Sequence, residues 1–348
     1  MKKMICPALI TVLVFCFAFT GCSGNGTEAA TETGDAAASG TQKTPYASFK
    51  VGTSHNKTSF FYEGLAIFKE LVEKDTNGGV TVELYDSAAL GSEGEMAEGV
   101  SMGTVDACLV GSSSVAKLQS SFNVFSLPYL FDSNQHVDAV FDSEIGDQFK
   151  DLLLDKNGVV MLDYWDSGFR HYVNSKKPIN SPEDMKGLLI RIPDNPIQAA
   201  TLKALGASSS TLSFNEVYMA CANGTVDGQE GPVFAMVDEN MYEVQDYMVL
   251  DGHIYTVMGL LMNANTFNKF TAEDQAVIKD AAHKAGLYEK ELIRNNETEN
   301  IKFLKEQGME INENPDKDAW RAATESVYDQ FYDTYGKDLI ESIRDFKY

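Results

Sequence analysis

From Phe49 onward the chain alternates short apolar runs with amphipathic segments, and this alternation limits the fold more than any other feature. Phe49–Thr53 reads as a strand and Phe60–Glu73 as a helix with Phe61, Leu65, Phe68 and Val72 on one face. Val80–Tyr85 predicts a second strand, Glu93–Met102 a helix and Val105–Val110 a third strand. The pattern resumes at Val159–Trp165 and at Gly187–Ile192, which is followed by a helix to Leu205. Ser210–Leu212, a helix over Phe214–Ala222 and an apolar run over Tyr247–Asn263 continue it. Such alternation implies parallel sheets covered on both faces, the α/β class. Ser181-Pro182-Glu183-Asp184 has the chemistry of a helix start. Thr271-Ala272-Glu273-Asp274 opens a much longer helix, interrupted only by Gly286 and extending to about Glu306. At 1.5 Å per residue it spans about 50 Å, which suits a strut laid across two lobes.

The first segment reads as an address. Lys2 and Lys3 precede an apolar run, Met4–Phe19, that is too short for a settled membrane span. It ends in Phe19-Thr20-Gly21-Cys22, which resembles the bacterial lipobox, although Leu is commoner than Phe at its first position. On that reading residues 1–21 are removed and Cys22 is lipidated; the alternative is an ordinary cleaved signal peptide. Residues 22–45 hold almost only small and polar side chains, a composition expected of a flexible tether between a lipid anchor and a folded body. No later run is apolar for long enough to cross a bilayer. The expected location is extracytoplasmic, anchored to the bacterial membrane. Loss of Lys2 and Lys3 takes the net charge from −23 to −25, a field that disfavours nucleic acid as a partner. Only Cys108 and Cys221 stay in the body, and their apolar surroundings predict two separate buried thiols.

The five arginines carry the most chemical information. Arg294, Arg321 and Arg344 fall in the charged, helical C-terminal third, where a solvated face accounts for them. Arg191 instead lies inside an apolar strand, Leu188-Leu189-Ile190-Arg191-Ile192-Pro193, and Arg170 follows Tyr164-Trp165-Asp166-Ser167-Gly168-Phe169. A guanidinium in such a strand needs a partner, because burying a lone charge costs several kcal/mol. The partner is either an internal carboxylate, with 51 acidic residues available, or the carboxylate of a ligand held by two parallel hydrogen bonds. Residue chemistry alone leaves both open.

Other motifs carry less. Ser114-Val115-Ala116-Lys117 matches Ser-x-x-Lys, but neither Ser-Asp-Asn nor Lys-Thr-Gly accompanies it, so a polar helix start is expected. The five histidines show no HExxH or similar spacing that predicts a metal site. His55 follows the first strand, where a cleft edge is expected. Asp163 and Asp166 are an acid pair for which ion pairing suffices. No phosphate-binding glycine loop occurs, and no cofactor is expected.

Three stretches resemble the DctP-type solute-binding proteins of tripartite ATP-independent periplasmic (TRAP) transporters. The first is Gly168-Phe169-Arg170-His171 with Asn174-Ser175-Lys176-Lys177-Pro178-Ile179; the second runs from Ser181 through Ile190-Arg191-Ile192-Pro193. The third runs from Ala204-Leu205-Gly206-Ala207 through Phe214-Asn215-Glu216-Val217-Tyr218 to Gly228-Gln229-Glu230-Gly231-Pro232. The resemblance implies a two-lobed, periplasmic-binding-protein-like α/β fold with a long helix across both lobes. The expected division is 46–167 with 257–295 in lobe I, and 168–256 with 296–348 in lobe II. It further implies that Arg191 pairs with a ligand carboxylate, that Arg170 adds a second contact, and that Ser54, Glu93, Phe214, Gly231 and Met258 face the pocket. Trp165, Tyr164, Phe214 and Phe125 are candidate apolar walls or else ordinary core, and His55 is a candidate ligand contact or else a solvated loop residue. The implied partners are a small organic carboxylate and the small and large TRAP membrane subunits, with the protein acting as a monomer and not as an enzyme.

The chain departs from the family pattern at Gly231, where many members carry Asn, and this change is expected to remove a donor and free room. Gly111, Ser114 and Met258 stand where sialic-acid-binding members have charged residues or glutamine. Fewer polar side chains predict a less hydroxylated ligand, a monocarboxylate with an apolar or aromatic body, with sugar acids and C4-dicarboxylates as alternatives. A binding protein that feeds a sensory receptor would share these features.

Overall fold

The structure is a computed structural model and describes residues 44–348. The signal segment, the Cys22 lipidation site and the tether up to residue 43 lie outside the described residues.

Nine strands form one continuous sheet: β1 (Ala47–Thr53), β2 (Val80–Tyr85), β3 (Ala107–Gly111), β4 (Val159–Asn174), β5 (Leu189–Ile192), β6 (Ser208–Thr211), β7 (Gly228–Gly231), β8 (Tyr247–Asn263) and β9 (Glu310–Asn312). Their order is β2-β1-β3-β8-β4-β7-β5-β6, with β9 beside the start of β8. The fold is the α/β, two-lobed arrangement expected, but the connection between its ends differs from two separate parallel sheets. Pairs β1–β2, β1–β3, β5–β6, β5–β7 and β8–β9 are parallel, whereas β3–β8, β4–β8 and β4–β7 are antiparallel. The two long strands β4 and β8 run through the middle and carry the sheet from one end to the other. β8 is buried almost throughout, which is why it reads as a largely apolar run, interrupted by Asp251-Gly252-His253, without strand alternation.

β4 extends to Asn174, well past the expected end at Trp165. The polar stretch after Trp165 is a bulge, not a terminus: the β4–β8 register shifts between Asp166 and Gly168 and again between Arg170 and Tyr172, and Gly168 has φ +86°. These shifts re-aim the side chains of Arg170 and its neighbours. The helix expected from Ser181 is a single 3₁₀ turn, Pro182–Met185, closed by a capping box between Ser181 and Asp184. Gly187, at φ +82°, ends it by turning the chain into β5.

The long helix runs Ala272–Glu306, capped by Thr271, whose side chain accepts the Asp274 N–H. Gly286 does not break it. An added Cβ there would lie 2.6 Å from Cδ1 and Nε1 of Trp165, so the glycine makes a slot for the indole. Gly64 on the helix Phe60–Asp75 makes the facing side of that slot, and the indole N–H donates to the Ala282 carbonyl at 3.1 Å. Near its other end the helix packs Phe303 edge-on against Tyr242, with ring centroids 5.4 Å apart. Arg294 is not on a solvated face: its Nη1 and Nη2 donate to Asp138 and its Nε to Asp166, at 2.7–2.9 Å. Asp163 is hydrogen-bonded to His283 at 3.1 Å and Asp166 is ion-paired with Arg294, so each acid of that pair has its own partner. Cys108 and Cys221 are buried and unbonded to each other, and no helix among the described residues is long and apolar enough to cross a membrane.

Candidate ligand-binding site

A cavity of about 120 Å³ lies where β3, β4, β5, β7 and β8 converge with the turns that follow β1 and β6. The sequence brings Arg191, Arg170, Phe214, Gly231, Glu93, Met258 and His55 to its wall. Two expected residues stand elsewhere. Ser54 lies behind the wall and acts through Glu93, to which its hydroxyl donates at 2.9 Å. Trp165 is fully buried in the glycine slot beneath the long helix and lies outside the cavity lining. Tyr164 and Phe125 are also core: Tyr164 donates its hydroxyl to the Gly146 carbonyl, and Phe125 packs among Phe122, Phe131, Phe141 and Phe149.

Arg191 projects from β5 and is 3 % exposed. Its Nε and Nη2 both donate to the Leu212 carbonyl oxygen, at 2.9 and 2.6 Å. Among the described residues no carboxylate comes within ion-pair distance of it. Burial lowers its pKa to about 10; the more distant charge of Glu230 opposes this shift and Arg170 adds to it, so it stays protonated at neutral pH. Arg170, on β4, is placed differently. Its Nε and Nη2 meet the carboxylate of Glu230, and Nη2 also reaches the Glu230 carbonyl at 2.8 Å. Burial drives the Glu230 carboxyl upward, but the guanidinium of Arg170 outweighs it and holds the pKa below the usual value. Arg170 therefore touches the cavity with its guanidinium already neutralised. Behind this pair, His253 stacks on Tyr172 at 3.9 Å between ring centroids and reaches Asp251 at 2.9 Å.

The opposite wall is built around Glu93, the first residue of the helix Glu93–Met102, whose Ser92 cap and Glu95 form a capping box. Its carboxylate accepts from Ser54 Oγ at 2.9 Å, from the Gly111 N–H at 3.1 Å and from Ser114 Oγ at 3.1 Å. Ser114 belongs to a short helix, Ser112–Val115, as its sequence suggested. The His55 ring lies 4.7 Å from Phe214 and 4.3 Å from Phe61, between centroids, with Nδ1 3.8 Å from Glu239. Gly231 does not leave empty room. A Cβ there would stand 2.9 Å from Cε of Met236 and 3.3 Å from Oε1 of Gln229, so Met236 and Gln229 occupy the space beside the glycine. Apolar wall residues that sequence reading missed, Phe61, Phe234 and Met236, lie in segments whose apolar residues also read as helix core.

The family model described as "Bacterial extracellular solute-binding protein, family 7" (DctP) matches residues 51–334. A solute-binding protein of Verminephrobacter eiseniae is 34 % identical over 285 residues, 81 % of this chain and 85 % of its own. A TRAP periplasmic solute-binding protein of Bordetella bronchispeptica, with bound density interpreted as pantoate, superposes with TM-score 0.83 at 32 % identity, over 87 % of this chain and all of the other. The counterpart from Polaromonas sp. JS666, bound to D-erythronate, gives 0.84 at 30 % identity, over 87 % and 99 %. The chain belongs to the DctP family of bacterial extracellular solute-binding proteins, the family of TRAP-transporter solute-binding proteins.

Proposed function

We propose that this protein captures a small organic acid in the cleft, neutralises its carboxylate with Arg191, and hands it to a pair of TRAP membrane subunits. One observation carries the reading: a guanidinium at the wall of a cavity, 3 % exposed and with no carboxylate partner among the described residues. Its two bonds to the Leu212 carbonyl orient the planar group but leave its charge uncompensated, and an incoming carboxylate supplies that compensation. Arg170 keeps Glu230 as its partner and shapes the wall from that position.

Capture proceeds by closure of two lobes, 46–167 with 257–295 and 168–256 with 296–348. Exclusion of water strengthens the ion pair, and ligand drives closure only through its greater affinity for the closed form. The ligand is a monocarboxylate whose body is apolar on one side and hydroxylated on the other. Phe61, Phe214, Phe234 and Met236 support the apolar side, which retains part of the expectation drawn from sequence. Pantoate and D-erythronate in the relatives favour hydroxyls over a wholly apolar or aromatic body. The mature protein is a monomer held outside the cytoplasm by lipid on Cys22.

Thermal-shift screening of the purified protein with pantoate, D-erythronate, succinate, glucuronate and phenylacetate tests this. Stabilisation by the small hydroxylated monocarboxylates is expected. Stabilisation by phenylacetate alone overturns the ligand class, and none by any acid overturns the carboxylate reading.

A further inference from the structure

Gln198 is the third residue of the helix Pro196–Ala204, which follows the strand that bears Arg191. Its side chain lines the same cavity, it is 3 % exposed, and its amide oxygen has no hydrogen-bond partner among the described residues. The turn that carries it is held firmly. Asn195 caps the helix, its Oδ1 accepting from the N–H groups of Ile197 and Gln198 at 3.0 and 3.1 Å. The Asn195 amide nitrogen in turn contacts Ser126 Oγ at 2.9 Å, Asn123 Oδ1 at 3.0 Å and Ser113 Oγ at 3.2 Å. The backbone of Gln198 is thus tied through Asn195 to the segment 113–126, and the turn that presents its amide to the cavity is fixed.

A buried amide left without a partner costs about 1–3 kcal/mol, a cost that disappears when a ligand completes the bonding. The chemistry of that ligand group follows from the amide. A primary amide both donates and accepts, and so does a hydroxyl, whereas a carboxylate only accepts and is better served by the guanidinium of Arg191. Glu93 already accepts three hydrogen bonds from protein groups, and the Gln229 amide nitrogen contacts Met236 Sδ at 3.2 Å. We propose that Gln198 is a specificity-determining residue that recognises a hydroxyl on the body of the bound acid; this rests on the carboxylate being held at Arg191.

The test compares each hydroxylated acid with its deoxy counterpart: D-erythronate with butyrate, and pantoate with 3,3-dimethylbutyrate. Affinities are measured by calorimetry on the wild-type protein, Gln198→Leu and Gln198→Met, each checked for an unchanged unfolding transition; the methionine variant keeps the side-chain length should leucine disturb the helix. A site built to pair a hydroxyl discriminates strongly against analogues that lack it. The wild type is expected to prefer the hydroxylated member of at least one pair by tenfold or more. In the variants that preference falls to within threefold, through loss of affinity for the hydroxylated acid while the deoxy acid binds as before. An unaltered preference in a folded variant, or equal affinity for both members of each pair in the wild type, overturns the role of Gln198 and leaves the Arg191 reading standing. Binding of none of the four acids to the wild type overturns the role of Gln198, and the Arg191 reading falls with it only if succinate and glucuronate fail to bind as well.

Discussion

Arg170 and Glu230, on adjacent strands, are joined side chain to side chain, and Nη2 of the arginine also reaches the glutamate's own carbonyl at 2.8 Å. Glu230 is 1 % exposed, so its charge relies on this partner. Removing one member of a buried pair strands the other, typically at about 3–5 kcal/mol, while replacing both by apolar groups costs far less. Arg170→Ala is expected to lower the Tm of the ligand-free protein by on the order of 10 °C. The double variant Arg170→Met with Glu230→Met is expected to recover more than half of that loss. Calorimetric unfolding of the three proteins checks this, and an Arg170→Ala variant of wild-type stability contradicts it.

Arg191 should behave in the opposite way. Among the described residues no carboxylate is in direct contact with it, so Arg191→Ala is expected to unfold within a few degrees of wild type but to bind its acid at least a hundredfold more weakly, about 3 kcal/mol. Arg191→Lys keeps the charge and loses the planar fork, so an intermediate loss is expected. Titration calorimetry decides, and near-normal affinity in the alanine variant removes the ion pair from the mechanism.

These two arginines also mark how far the sequence could be read. Both stood out because a guanidinium in an apolar strand demands a partner, but the identity of the partner depends on which strands become neighbours. Glu230 is 60 positions from Arg170, and only the pairing of β7 with β4 brings them together. The same limit explains Trp165. Its apolar context was plain, whereas the slot formed by Gly64 and Gly286 arises from helices distant in the chain. The bounds of β2, β8 and the long helix were legible because each has strong local periodicity or a largely apolar run. The bulges of β4 were not, since Asp166-Ser167-Gly168 carries the composition of a strand end. Gln198 was missed for a related reason: an uncharged polar residue on a helix looks solvated until tertiary packing buries it.

Stability should depend on pH through Asp238. Its carboxylate accepts the Phe60 N–H at 3.4 Å, and its backbone carbonyl accepts from Asn56 at 3.1 Å, joining the helix Val233–Asp238 to the turn after β1. Burial raises its pKa to about 7, with the Phe60 N–H opposing and Glu239 adding to the shift. The folded state therefore holds this proton more tightly than the unfolded chain does. The stabilisation is complete below about pH 4 and is lost as pH rises toward 7, by on the order of 4 kcal/mol over that window. Asp238→Asn keeps an acceptor for Phe60 and cannot titrate. The wild-type Tm is expected to fall between pH 5 and pH 8 by several degrees more than that of Asp238→Asn, and parallel curves for the two proteins contradict the assignment.

Gly286→Ala tests whether the slot for Trp165 is as tight as the geometry indicates. In an exposed helix interior the change normally stabilises by about 1 kcal/mol, because glycine loses more backbone freedom on folding. Here the new methyl would lie 2.6 Å from two atoms of the indole, which cannot retreat because its N–H is bonded to Ala282 and Gly64 closes the far side. Overpacking of this kind costs about 1–3 kcal/mol, enough to reverse the sign. The variant is expected to melt a few degrees below wild type. Introduced into Trp165→Phe, where the smaller ring leaves room, the same substitution is expected to be neutral or stabilising. The interaction in this double-mutant cycle, measured by thermal unfolding, separates steric conflict from any general effect on the helix. Equal effects of Gly286→Ala in the two backgrounds would show that the indole does not set the requirement for glycine.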